Sequence, residues 1–352
     1  MQSIQTEVNE RNNAHPLPDE AWLALRQEEV LDPHIPVIDV HHHVWDRPNN
    51  RYLFDAFLKD VNCGHEVQAT VHLECGAVYR ADGPTELKPV GETEFIKGIA
   101  AMFDSGKYGP ARGCAGMVGF ADLLLGDRVQ GVLDAHIAAA GGRFRGIRNI
   151  AAWHADQDFV RTITFYRAPE GMLLNETFQS GFRHLGPRKL SFETYLFHTQ
   201  LGDVLGLARK FPDTTIILDF FGGPLKVGPY LGQDERVFDE WRAGIRKLAA
   251  CPNVYMKMGG LTIRTAGLHF VDRDVPPSSE ELAKPWQAYV DASIEAFGVD
   301  RCMFGTNFPV EKPNCSARVC WNSLKRLAAA CTDSEKSALF TGTARKVYRL
   351  DH

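Results

Sequence analysis

The sequence predicts an α/β protein built as one (β/α)8 barrel, a TIM barrel. Three observations point there. Eight short β-type runs alternate with helical patterns from Val37 onward. Connections into the later strands are short, as at Phe211-Pro212-Asp213 and Cys251-Pro252, whereas those leaving strands are long. No Gly-x-Gly-x-x-Gly follows a strand, which removes the usual reason to prefer a doubly wound open sheet.

Residues 1–36 read as an N-terminal extension. Asp19 is placed to cap a short helix, Glu20–Glu29, that stops before Pro33 and Pro36. The barrel then occupies 37–352. Its strands are expected at Val37–His43, Ala69–Glu74, Cys114–Phe120, Phe144–Asn149, Ser191–His198, Thr214–Asp219, Asn253–Met258 and Arg301–Gly305. Helical spacing covers Glu92–Phe103, Arg128–Ala140, Glu176–His184, Gly202–Phe211, Glu235–Ala250, Glu280–Phe297 and Ala317–Ala330. A last helix, Asp333–Tyr348, closes the chain.

Composition narrows the function. A 352-residue chain with 44% hydrophobic and 24% charged residues can bury a sizeable core. A net charge of −5 argues against non-specific binding to nucleic acid or an anionic membrane. No apolar run is long enough to span a bilayer. The N-terminus is polar without a signal-peptide core, so a cytoplasmic protein is expected. Eight scattered cysteines, with no Cys-x-x-Cys pair, fit reduced and buried thiols. A small-molecule substrate is the expected partner, with a homo-oligomer left open.

The strand ends supply the chemistry. In Val37-Ile38-Asp39-Val40-His41-His42-His43-Val44-Trp45, His41 and His43 share a face and His42 points away. His198 ends the fifth run. Three imidazoles converging at the barrel mouth would hold one divalent metal, with water in the open position. An isolated His-x-His reads equally well as a pair of core or surface histidines, and His198 alone reads as structural. Glu74 is a candidate general base, or a partner for Lys257 or an arginine. Arg148 suits a substrate carboxylate, or a salt bridge to a neighbour. Lys257, a charge inside a strand, needs a carboxylate partner or a task. Tyr195, Trp45 and Trp153 follow strands at the same face, to wall a pocket or to pack under loops.

These stretches, with Phe144-Arg145-Gly146-Ile147-Arg148, Tyr195-Leu196-Phe197-His198-Thr199-Gln200-Leu201, Asp213-Thr214-Thr215-Ile216-Ile217-Leu218-Asp219 and Phe304-Gly305-Thr306-Asn307-Phe308-Pro309-Val310, resemble the amidohydrolase superfamily. The resemblance is to its "amidohydrolase 2" branch of sugar-lactone and pyrone-dicarboxylate lactonases. It implies hydrolysis of a small, anionic lactone or ester-like substrate. It assigns His41 and His43 to the first-strand metal pair and His198 to the fifth-strand histidine, with zinc or manganese weakly held. Two positions depart from the family pattern. Phe220 stands where the family has histidine after the sixth strand, and Asn307 where it has the aspartate that binds metal and accepts a proton. An amide cannot take a proton near neutral pH. Catalysis without metal, a lyase or decarboxylase reaction on the same scaffold, and a lapsed binding protein are the alternatives. Glu74 is the remaining base if Asn307 cannot serve.

Overall fold

The computed structural model describes residues 16–350. Ten strands follow one another among them: β1 (Val37–His42), β2 (Trp45–Arg47), β3 (Asn50–Tyr52), β4 (Val67–Leu73), β5 (Arg112–Gly119), β6 (Phe144–Arg148), β7 (Ser191–Thr194), β8 (Ile216–Leu218), β9 (Val254–Gly259) and β10 (Cys302–Gly305). Eight form one sheet in the order β1-β4-β5-β6-β7-β8-β9-β10, and every neighbouring pair is parallel. The residues after β10 close the ring on β1. Asn307 N donates to His41 O at 2.7 Å, and His43 N to Phe308 O at 2.7 Å. This is the expected (β/α)8 barrel.

β1 is buried along its whole length because parallel strands are covered on both faces. Ile38, Val40, Val71, Ile217 and Met303 meet inside the barrel. The C-terminal Val347, Tyr348 and Leu350 pack onto the same cluster. A register shift separates the Asp39↔Thr70 and His42↔His72 pairs, so three steps of β1 match two of β4. That is a β-bulge, which re-aims side chains. It lets Val40 stay with the interior cluster while His41, one residue on, also meets interior groups.

Several boundaries differ from the sequence expectation. The fifth run is a strand only to Thr194; the chain then turns, and Gln200 Oε1 accepts from Phe197 N and Trp153 N. The expected Glu280–Phe297 helix divides into Ser279–Ala283 and Gln287–Phe297 around Pro285, which lacks the N–H a helix needs. Asp333–Tyr348 is interrupted by a π-helical turn, Ala338–Gly342. The early helix covers only Glu20–Leu23, although Asp19 caps it as expected. The β2–β3 hairpin and the helices Phe54–Val61 and Gln157–Ile163 have no counterpart in the sequence expectation.

The described part of the extension is fastened to the barrel. Lys325 Nζ donates to the carbonyls of Leu31, Asp32 and Ile35, and Asn322 binds Glu28 and Glu29. All eight cysteines are free thiols. Among the described residues no helix is long and apolar enough to cross a membrane.

Candidate active site

His43 is oriented by the strand beside it. Its Nδ1 lies 2.9 Å from Leu73 O, which can only accept, so Nδ1 carries a proton. In the neutral ring Nε2 is then a lone pair, and His43 lines the main cavity. Burial pushes His43 well below the ordinary histidine range, so the ring is neutral at pH 7. His41 lies deeper. Its Nε2 accepts from Arg148 Nη1 at 3.2 Å, and its Nδ1 faces Asp219 Oδ1 and Lys257 Nζ, each at 3.5 Å. Burial pushes it down to about 3, against the pull of Asp219. His42 points away, as expected, with Nε2 2.8 Å from Thr70 Oγ1 and its ring stacked on Phe57.

Beneath the histidines lies a fully buried charge cluster. Lys257 Nζ donates to Glu193 Oε2 and lies 3.5 Å from Asp219 Oδ1. Tyr348 donates its hydroxyl to the other Glu193 oxygen at 2.7 Å. Arg148 Nη1 lies 3.5 Å from Asp219 Oδ2. Burial alone would raise Asp219, but Lys257, His41 and Arg148 hold it below the usual carboxylate range. Lys257 thus has its carboxylate partners. Arg148 is pinned at the opposite end, where Nε donates to Glu74 Oε1 at 3.0 Å and Nη2 to Glu74 O. Glu74 is therefore the arginine's partner and does not line the cavity.

Asn307 adopts φ 60°, a left-handed conformation that asparagine tolerates better than most residues. Its Oδ1 lies 3.3 Å from His43 Nε2, and its Nδ2 donates to Glu311 Oε1 at 3.1 Å. The second Glu311 oxygen accepts from Thr262 N and Oγ1 at 2.6 and 2.7 Å. Burial pushes Glu311 up to about 7, while the Thr262 and Asn307 hydrogen bonds lower it. The amide has two self-consistent orientations. With Glu311 ionised, Nδ2 serves Glu311 and Oδ1 suits a protonated Nε2. With Glu311 protonated, the turned amide presents Nδ2 to a neutral His43.

The cavity has a volume of about 300 Å³. His43, Arg148, Asn307, Tyr195, Phe220 and Trp45 all line it. Phe220 takes φ 49°, and a Cβ at Gly260 would lie 2.7 Å from its ring, so glycine there leaves room for the phenyl wall. The Tyr195 hydroxyl is 2.9 Å from Thr265 Oγ1. Trp45 Nε1 donates to Asn50 Oδ1 at 3.2 Å.

Of the expected site residues, His41, Glu74 and Lys257 lie in the buried cluster beneath the cavity and are absent from its lining, and His198 and Trp153 lie apart from both. His198 sits beside Tyr230, with Nδ1 accepting from Leu225 N at 3.3 Å and Nε2 3.7 Å from Glu240. It does not line the cavity, because the chain leaves the β7 ladder at Thr194, before reaching it. Trp153 is absent from the lining as well. Sequence reasoning missed Glu193, Glu311, Thr262 and Arg47, and gave Asp219 no role. Glu311, one helical turn beyond Asn307, was the most legible of these.

The residues present do not fit a divalent ion between the first-strand histidines. An ion at His41 Nε2 would share that atom with the pinned guanidinium of Arg148. The ligand-bearing trio His41, Glu193 and Asp219 already surrounds the Lys257 ammonium. His198 contributes no third ligand there. A separate trio, His72, Cys75 and Glu92, brings its ligand atoms within 4.8 Å of one another.

The barrel fold agrees with comparison to known proteins. The family profile described as "Amidohydrolase" matches residues 38–350. The chain belongs to that family. It is 34% identical over 338 residues to the uncharacterized protein y4mH of Sinorhizobium fredii, covering 90% of this chain and 99% of that one. It is 26% identical over 251 residues to an L-fucono-1,5-lactonase of Burkholderia multivorans, covering 67% and 72% of the two chains. A crystal structure of a Burkholderia multivorans amidohydrolase with bound zinc superposes with a TM-score of 0.66 at 24% identity, covering 90% of this chain and 99% of that one.

Proposed function

We propose that this enzyme hydrolyses a small lactone or related cyclic ester that carries an anionic group. The observation that carries the reading is the His43 ring, whose tautomer is fixed by Leu73 O and which lines the cavity together with Arg148. The L-fucono-1,5-lactonase relative supports the same reaction class.

In this reading water meets the ester carbonyl between His43 and Arg148. His43 Nε2 takes a proton from the water as its oxygen bonds to the carbonyl carbon. The carbonyl electron pair moves to oxygen, where the Arg148 guanidinium stabilises the charge. Collapse of the intermediate breaks the ring C–O bond. The proton on His43 passes to the leaving alkoxide. Ionised Glu311, acting through Asn307, favours the transient imidazolium. Asn307 itself takes no proton. His41, Asp219, Lys257 and Glu193 hold Arg148 and the floor of the site in place.

A panel of five- and six-membered lactones, with and without a carboxylate, tests this by product analysis. Hydroxy acids formed by wild type and lost in His43→Gln are expected. Carbon dioxide as the product would favour the decarboxylase alternative.

A further inference from the structure

We infer that Arg47 is the anion-holding group of this cavity, and that the ligand it receives is a flat, largely apolar ring bearing one carboxylate. The inference rests on the lactone reading for the identity of the reacting group, but not for the existence of the anion site.

Side chains two apart on a strand share a face. After the bulge, the chain runs extended, and His43, Trp45 and Arg47 all line the cavity. Arg47 is only 7% exposed. Its guanidinium lies 4.0 Å over the Trp45 ring, and its Nη2 donates to Cys75 O at 3.1 Å. Among the described residues its Nη1 has no hydrogen-bond partner. No carboxylate among the described residues forms an ion pair with it, whereas Arg148 and Lys257 each have two carboxylates within 4.0 Å. A buried cation left without an anion is costly, so the geometry points to an anion that arrives with the ligand. Arginine flattened on an aromatic face keeps its planar edge for a carboxylate.

The remaining walls set the rest of the ligand. Trp45, Phe165, Tyr195, Phe220, Ile263 and Leu268 present aromatic and aliphatic surface to the cavity. These surfaces suit the flat faces of a planar or unsaturated ring, while Thr262, Thr265, His269 and Asn314 line the same cavity and offer partners to polar groups at its edge. Arg148 has the other role. Nε, one Nη1 hydrogen and one Nη2 hydrogen go to Glu74 and His41, which leaves a second Nη2 hydrogen for the reacting carbonyl.

The test is equilibrium binding, with 1-naphthoate as the probe and 1-naphthylmethanol as its neutral counterpart, measured by calorimetry on the full chain. Wild type should prefer the carboxylate. Arg47→Gln should weaken naphthoate by at least about tenfold, the loss of a charge-assisted contact, and leave the alcohol within about twofold. Arg47→Lys, which keeps the charge, should recover part of the loss and guards against a folding defect. Equal losses on both ligands, an unchanged naphthoate affinity in Arg47→Gln, or no binding of either ligand by wild type would each overturn the assignment. Charge-selective binding through Arg47 in a protein that opens no lactone would instead sink the hydrolase reading and leave this site standing.

Discussion

Asn307 Nδ2 donates to Glu311 Oε1 across 3.1 Å, so the carboxylate that reaches His43 from the β10 side does so through an amide. A buried acid, Glu311, lies four residues beyond Asn307. Glu311→Gln keeps the shape and mimics the protonated acid. It should leave Asn307 without the charge that supports a His43 imidazolium. Turnover should fall by roughly 10–100-fold, the worth of a charge-assisted contact. In wild type kcat should rise with pH through about 7 as Glu311 ionises, and that limb should vanish in the variant. A pH–rate profile unchanged by the substitution would refute the coupling.

The same group makes a stability prediction. Burial raises Glu311 from its ordinary 4.5 to about 7, so the folded chain holds this proton to higher pH than the unfolded chain. Stability from this group is therefore full below about 4.5 and declines as pH rises to about 7, by roughly 3 kcal/mol. Asp39, raised to about 6 by burial, works in the same direction. Urea unfolding of wild type and Glu311→Gln at pH 5 and pH 8 should show the smaller pH difference in the variant. Parallel curves would contradict this.

Arg148→Ala should behave as a structural and oxyanion loss, not as a loss of carboxylate recognition. It strands Glu74 in a buried setting, at a cost of about 3–5 kcal/mol, and leaves Asp219 to Lys257 and His41. Turnover of anionic and neutral lactones should fall alike. A loss confined to the anionic substrates would return the carboxylate to Arg148 and away from Arg47.

The metal prediction follows from the crowded His41 ring. Removing divalent ions with a chelator should leave lactone turnover within about twofold. Arg148 and Lys257 already face the two His41 ring nitrogens at 3.2 and 3.5 Å, so an ion placed there would meet like charge. Elemental analysis of protein purified without chelator should find no ion that His41→Ala removes. An ion lost instead in Cys75→Ser would belong to the trio of His72, Cys75 and Glu92. Turnover that collapses on chelation and returns with zinc would contradict the account.

How much of the molecule is legible in the sequence differs from residue to residue. The barrel is legible, because alternating runs and unequal loops are local properties. His41 and His43 are legible as a pair from period two, though the bulge that seats them depends on pairing with β4. His198 does not line the cavity, since the strand-like composition continues past the point where the ladder ends, at Thr194. The partners of Lys257 and Arg148 come from other strands, at separations no local pattern encodes. Arg47 follows from extending the His43–Trp45 alternation by two more residues.

The central claim is that His43 takes the proton from an attacking water. Its most direct test is turnover of a responsive lactone in heavy-oxygen water by wild type and His43→Gln. The account predicts one heavy oxygen in the new carboxylate and a rate at least about 100-fold lower in the variant, the usual worth of a general base. An unlabelled product, or a variant that turns over as fast as wild type, would contradict it.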